Sequence, residues 1–409
     1  MSLASVSQSE SKRLLHTYDR HKVLLERGRG CYLYDDRGRK YLDFLSGIGV
    51  NALGHGHPAI RRALMRQAGR VLHTSNLFYH EYQAPLAERL SALSGLERAF
   101  FTNSGTEAVE GALKLARAHA RASSRNGHRP AWRVLAMTNS FHGRTFAALS
   151  ATWTKKYREP FGPLVPGVRF VRFNDVQDLA RKMDATVCAV LLEPIQGEGG
   201  INAVTPEFFT AARRLTRKYG AVLIADEIQC GLGRTGQYFA YQNYGIMPDI
   251  VTLAKPLAAG LPLGAILARE SVAATLHPGM HGTTFGGGPL ACVVALAFLK
   301  TLERERLLRH VREIGAYFHE RLEGLKKKHA SIREVRGLGL MLGLELDSPE
   351  LAKSAAAEML RRGIIINRTH ETALRFLPPF IIEKKHVDQV VATLDSVLKR
   401  AEAKGRKQR

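Results

Sequence analysis

The chain has 409 residues, 45% of them hydrophobic, with 60 lysines and arginines against 37 acidic residues, a formal charge of +23. That length supports one large domain with a smaller companion, and no apolar run approaches the roughly 18 residues of a membrane span. Four scattered cysteines without CxxC spacing argue against a disulfide framework or a metal site and for a reducing cytoplasm, while the positive charge attracts anions: small dicarboxylates, an acidic partner or nucleic acid.

The N-terminal MSLASVSQSESKR lacks the apolar core of a secretory signal, and Glu10 precedes its first basic residues, Lys12 and Arg13, so neither a signal nor a transit leader is expected. Residues 1–60 read as an extended arm with a short hairpin at 31–44. Strand-length apolar runs follow at 98–101, 132–137, 168–173, 187–192, 221–225 and 250–253, alternating with amphipathic stretches such as 106–121 and 207–219. The stretch 207–219 is introduced by Thr205 as cap and Pro206 at the first helical position, and it stops at Gly220. Such alternation predicts an α/β fold, a mainly parallel sheet between helices.

After residue 290 the texture becomes α+β: one long helix over 290–328, alternating strands in 332–346, a helix at 349–362, strands at 364–367 and 373–382, and a last helix over 384–400. The expected division is therefore an N-terminal segment 1–60, a large domain 61–290, and a small domain 291–409 packed with the N-terminal segment. The basic end, 399–409, reads as a solvated helix end fraying into a tail rather than a nucleic-acid arm.

The chemistry gathers at strand ends. Lys255 closes the apolar run 249–254, and a buried ammonium without a partner is costly, so this lysine either reaches water or has a chemical task. Asp226 ends the run 221–225. An amine and a carboxylate at two strand ends suit pyridoxal 5'-phosphate, whose aldehyde condenses with a lysine and whose ring nitrogen pairs with an aspartate. In FFTNSGTEA (100–108) a strand, a small polar turn and a helix start offer amides to a phosphate at Ser104, Gly105 and Thr106, although serine and threonine are also ordinary helix caps.

After the next strand, Phe141 could stack on a planar ring and Arg144 could grip a carboxylate, while Phe141 and His142 taken alone read as core and structural residues. Glu193 and Glu198 are either solvated loop charges or, beside a substrate-binding arginine, a movable counter-ion. Gln229 adds an amide for the ring edge, and HGTTFGGGP (281–289) is a glycine-rich turn before a helix, suited to an anion. All but the last follow the C-terminal end of a predicted strand, the edge where parallel sheets bind ligands. A nicotinamide enzyme is the poorer reading, because no GxGxxG follows the first strand.

SGTEAVE (104–110), FHGRT (141–145), EPIQGEGG (193–200), ADEIQCGLGRTG (225–236), LAK with GLPLGA (253–265) and HGTTFGGGPLAC (281–292) closely resemble the class III aminotransferases of fold type I. The match runs from Thr17-Tyr18 through YLDF (41–44) and GHGHP (54–58) to LRFLPP (374–379), and GIGVNALGHGHP (47–58) is most similar to members acting on acetylornithine.

The resemblance implies pyridoxal 5'-phosphate as cofactor, attached to Lys255, which also shuttles the proton. It implies phosphate binding by Ser104, Gly105 and Thr106 and ring contacts from Phe141, His142, Asp226 and Gln229. Thr284 would reach the phosphate of the neighbouring subunit, with Thr283 near the substrate, so that a homodimer shares its active sites. Arg144 would bind a substrate carboxylate and Arg375 the α-carboxylate of glutamate. Glu198 would swing against Arg375 when the diamine enters, and Tyr18 would line the pocket.

The implied reaction moves the terminal amine of N2-acetyl-L-ornithine to 2-oxoglutarate, as in arginine biosynthesis. The alternative donors are ornithine, succinylornithine, 4-aminobutyrate or a lysine on an acidic carrier protein. A nucleic-acid protein on this scaffold would be expected to have lost a role-bearing residue, and none is missing. Three positions depart from the family pattern: Pro256 after the lysine, Gly288 where asparagine is common, and Lys22 in place of a proline.

Overall fold

Continuous apolar runs bounded by turn residues become strands buried on both faces. The computed structural model describes residues 2–124 and 129–407. An antiparallel ribbon comes first: β1 (Leu25–Arg29), β2 (Tyr32–Asp35) and β3 (Lys40–Asp43). The central sheet then takes β4 (Arg98–Thr102), β5 (Arg133–Met137), β6 (Val168–Val171), β7 (Val187–Leu192), β8 (Val222–Asp226), β9 (Ile250–Leu253) and β10 (Gly264–Ala268), in the order β4-β10-β9-β8-β7-β5-β6. Every residue of β7, β8 and β9 is buried, as expected of central strands covered by helices on both faces.

The expected parallel sheet holds for β6, β5, β7, β8 and β9. Strand β10 is an addition: it runs antiparallel to both β9 and β4, so β4 points the same way as the parallel set. The C-terminal ends of β4, β5, β7, β8 and β9 therefore share one edge. Behind them the helix Pro206–Tyr219 begins and ends as its sequence demands. Thr205 accepts the amide of Phe208 at 3.2 Å, and Gly220 closes it in the left-handed region at φ 67°.

Four expectations need correction, the first being the strand expected over 373–382, which ends at Phe376. The N-terminal arm carries a helix, Leu3–Arg13, none of whose residues is buried. The long helix over 290–328 is two helices, Pro289–Arg304 and Leu307–Lys326, broken at Arg306 with φ 51°. No glycine or proline marks that break, so periodicity ran straight across it. The last helix reaches Lys407 rather than stopping at 400, and of the expected tail only 408–409 fall outside the described residues.

Beyond the central sheet, β11 (Ile332–Leu338), β12 (Met341–Leu346), β13 (Asn367–Thr369) and β14 (Ala373–Phe376) form an antiparallel sheet in the order β11-β12-β14-β13. Ile364–Ile365 pairs in parallel with β3, adding a fourth strand to the N-terminal ribbon just ahead of β13 in the chain. Among the described residues no helix is long and apolar enough to cross a membrane.

The turn after β8 holds a buried acid. Glu227 accepts the amides of Ala240 at 2.7 Å and Tyr241 at 2.8 Å, and burial pushes its carboxyl from 4.5 up to about 7. The folded chain holds this proton when the unfolded chain has lost it. The associated stability is therefore complete below pH 4.5 and declines as pH rises to about 7. Glu227→Gln is expected to flatten the fall of melting temperature between those limits, measured by thermal melts across pH.

Candidate active site

Loops leaving the aligned ends of β4, β5, β7, β8 and β9 enclose one cavity of about 420 Å³. The β4 loop brings Ser104, Gly105 and Thr106 to its wall, where an 18-residue helix, Gly105–Ala122, begins. Ser104 caps that helix by accepting the amide of Glu107 at 3.3 Å, so the positive end of the helix dipole faces the cavity. The Thr106 hydroxyl is committed to the neighbouring loop, which leaves its amide for an anion. It accepts the amides of Arg144 and Thr145, each at 3.2 Å, and bonds Thr145 Oγ1 at 2.8 Å.

Gly143 makes that grip possible. Its φ is 141°, and a Cβ there would lie 2.3 Å from Thr106 Oγ1. Gly143→Ala is expected to cost about 2 kcal/mol or more in denaturant unfolding, from overpacking and a backbone region hostile to side chains. It should also weaken binding of the anionic ligand that the helix start serves, read by titration.

From β5 and its loop, Phe141 and Arg144 line the cavity. The Phe141 ring meets Tyr157 edge to face at 6.3 Å, and the Arg144 guanidinium lies 3.6 Å from the Tyr157 ring centroid, a cation–π contact that sequence reading missed. Glu193, at the end of β7, is no solvated loop charge. It is buried, accepts the amides of Phe141 and Gly197 at 3.0 Å each, and is pushed by burial up to about 7. It joins two loops of the cavity wall.

Asp226 ends β8 with both carboxylate oxygens bonded and one acceptor site of Oδ2 to spare. Oδ2 meets Nδ1 of His142 at 2.7 Å, and Oδ1 accepts from Ile228 N and Thr252 Oγ1 at 3.1 Å each. His142 is buried with its Nε2 unpartnered, so its contribution to the site runs chiefly through Asp226. Lys255 follows β9 and lines the same cavity. Burial lowers its ammonium below the usual lysine value, more than the charges of Glu198 and Asp226 raise it. Pro256 sits within the first turn of a short 3-10 helix, Lys255–Ala258, where a missing amide hydrogen costs nothing, and this accounts for a proline beside the lysine.

Glu198 lines the cavity and forms an ion pair with Arg375 of β14, which is wholly buried. Arg375 also donates to Gln229 Oε1 at 3.2 Å and to Asn367 Oδ1 at 3.1 Å. Burial, the largest single effect, would raise the Glu198 carboxyl, but Arg375 first, then Lys255 and Gln229, together hold the group below the usual carboxylate range.

Three expected residues stand apart from the cavity. Tyr18 is 77% exposed, on a stretch that belongs to no strand or helix. Thr283 meets the wall through Asn103, whose Nδ2 donates to its Oγ1 at 3.2 Å. Thr284 is exposed and lines a separate recess with His73, Ser75 and His80. Asn367 and Thr369 were missed, because their approach depends on strand register that no motif announces.

An amine of lowered basicity, a carboxylate and a helix N-terminus around one cavity fit a flat, phosphorylated aromatic aldehyde. Gly105 leaves the room it needs, since a Cβ there would come within 2.8 Å of Ile228. The arrangement can hold the phosphate, pair the ring nitrogen and attach the aldehyde.

Comparison with known proteins agrees. The aminotransferase class-III family profile matches residues 15–398. An acetylornithine aminotransferase of Methanocaldococcus jannaschii is 47% identical over 390 residues, covering 95% of this chain and 96% of that protein. One from Aquifex aeolicus is 45% identical, covering 94% and 99%. Among solved structures, the ornithine aminotransferase of Toxoplasma gondii superposes with a TM-score of 0.94 at 33% identity, over 99% of this chain and 96% of that one. The acetylornithine aminotransferase of Elizabethkingia anophelis does so with 0.87 at 31%, over 98% and 100%. With motifs, sheet and cavity in agreement, the chain belongs to the class III aminotransferases.

Proposed function

We propose that the enzyme transfers the terminal amine of N2-acetyl-L-ornithine to 2-oxoglutarate, giving N-acetylglutamate 5-semialdehyde and L-glutamate. The observation that carries this reading is one cavity joining Lys255 and Asp226 to two arginines, Arg144 at its wall and Arg375 behind Glu198. Full-length identity of 45–47% to acetylornithine aminotransferases supports the donor. Pyridoxal 5'-phosphate, the cofactor, supplies an aldehyde that accepts the amine and a ring that draws electrons from the reacting carbon.

The protein does the rest. Lys255 Nζ holds the cofactor and, with its depressed basicity, takes a proton from the donor carbon and returns it on the far side of the transfer. Asp226, oriented by His142, keeps the ring nitrogen protonated. Ser104, Gly105 and Thr106 would hold the phosphate at the helix start, and Phe141 and Gln229, which line the same cavity, would contact the ring. Arg144 binds the donor carboxylate. Arg375 takes the α-carboxylate of glutamate, and Glu198 covers it when the donor carries no carboxylate for that place.

A homodimer completes the site. Leu77, Phe78 and Phe285 are 86%, 70% and 67% exposed, and the segment holding the first two is tied to Thr283–Gly287 by Asn76 and His80, an apolar face that a second copy would cover. Across it, Thr284 would reach the partner's phosphate, and Thr283 and Tyr18 its substrate. Four buried thiols suit a cytoplasmic location. The separate sheets support division into 1–60, 61–290 and 291–409.

Steady-state kinetics on acetylornithine, ornithine, succinylornithine, 4-aminobutyrate and a lysine-bearing acidic carrier test the donor. The highest kcat/KM is expected with acetylornithine; parity with ornithine would overturn the assignment.

A further inference from the structure

The pairing of Glu198 with Arg375 is held at both ends by one three-residue strand. In the antiparallel register of β13 with β14, Asn367 lies opposite Arg375 and Thr369 opposite Ala373. Asn367 Oδ1 accepts Arg375 Nε at 3.1 Å. Thr369, itself buried, donates its hydroxyl to the main-chain oxygen of Glu198 at 2.8 Å, with Glu198 Oε2 at 3.5 Å.

Glu198 needs that anchor. It lies in the run Gly197-Glu198-Gly199-Gly200, where the glycines leave the backbone little intrinsic stiffness. The neighbours are tied elsewhere: Gly197 N to Glu193 at 3.0 Å, Gly199 O to Asn202 at 2.7 Å and Gly200 O to Arg336 at 2.6 Å. At Glu198 itself, the main-chain contact from β13 is Thr369.

We propose that Thr369 is a positioning residue that fixes the pivot of Glu198, so that the carboxylate alone swings on and off Arg375, and that it thereby sets how strongly Arg375 is masked from the α-carboxylate of glutamate. The inference rests on the roles given above to Glu198 and Arg375. With the pivot fixed, Glu198 returns to Arg375 after each glutamate half-reaction and keeps the donor in one register. With the pivot loose, glutamate competes better for Arg375 and the donor loses its guide.

Purified holoenzyme carrying Thr369→Val, Thr369→Ser or Glu198→Gln distinguishes the possibilities. In the valine variant the KM for glutamate is expected to fall about five-fold, the worth of one ordinary net hydrogen bond, while kcat/KM for the terminal-amine donor falls by a similar factor. The serine variant should restore both constants, and Glu198→Gln should show the same split more strongly. Should the valine variant not fold, Thr369→Ala carries the test. A folded valine variant with parental constants, beside a Glu198→Gln variant that shows the split, would overturn the role of Thr369 alone. No split in Glu198→Gln either would overturn the masking of Arg375 and this inference with it.

Discussion

Replacing Lys255 with alanine is expected to lower transamination by roughly four orders of magnitude or more while leaving the fold intact. The size follows from losing the covalent attachment and the proton carrier together, since groups that act as a unit are lost as a unit. The intact fold follows from its surroundings. Lys255 makes no hydrogen bond among the described residues, and burial already disfavours its charged form. Removing an ammonium that burial disfavours leaves no hydrogen-bond partner unsatisfied among the described residues. The variant should melt at or above the parental temperature, and single-turnover absorbance should show no half-reaction with either substrate. A variant that merely unfolds would instead mark Lys255 as structural.

Arg375→Ala is expected to cut kcat/KM for 2-oxoglutarate by about 30-fold to several thousand-fold, the equivalent of the roughly 2–5 kcal/mol lost when one partner of a buried, hydrogen-bonded charge pair is truncated. The donor half-reaction, whose carboxylate is assigned to Arg144, should lose much less, so the two half-reactions separate in stopped-flow measurements. A second effect follows from the ion pair. Burial pushes the Glu198 carboxyl up and Arg375 pulls it down; without the arginine, burial prevails. The pKa of Glu198 is then expected to rise, so that the pH profile of the residual activity shifts toward higher pH. Equal losses in both half-reactions would point to collapse of the site rather than loss of one carboxylate-binding group.

Much of this was legible in the chain. The central strands β7, β8 and β9 show as continuous apolar runs because they are buried on both faces, and the cavity shows because its motifs stand at the ends of predicted strands. Lys255, Asp226, Phe141, Arg144 and Glu198 all line or close that cavity. What stayed hidden has physical causes. Strand β10 follows Gly260-Leu261-Pro262, which reads as a turn motif and masks the short strand behind it. The break at Arg306 carries no helix-stop residue, and the helix Leu3–Arg13 buries nothing that a periodic pattern would record.

Hydrogen-bond allegiance was hidden too. That Thr106 serves the neighbouring loop, that His142 backs Asp226, and that Thr369 holds Glu198 depends on neighbours 38 to 171 positions away in the chain. Residue type indicates which groups can bond; only the fold decides which do.

Lys255 is proposed to anchor pyridoxal 5'-phosphate in this cavity. Borohydride reduction of cofactor-loaded protein, followed by peptide mass spectrometry, tests it most directly. A single reduced phosphopyridoxyl adduct is expected on the peptide containing Lys255, lost in Lys255→Ala. An adduct on another lysine, or none after reconstitution with the cofactor, would contradict that assignment.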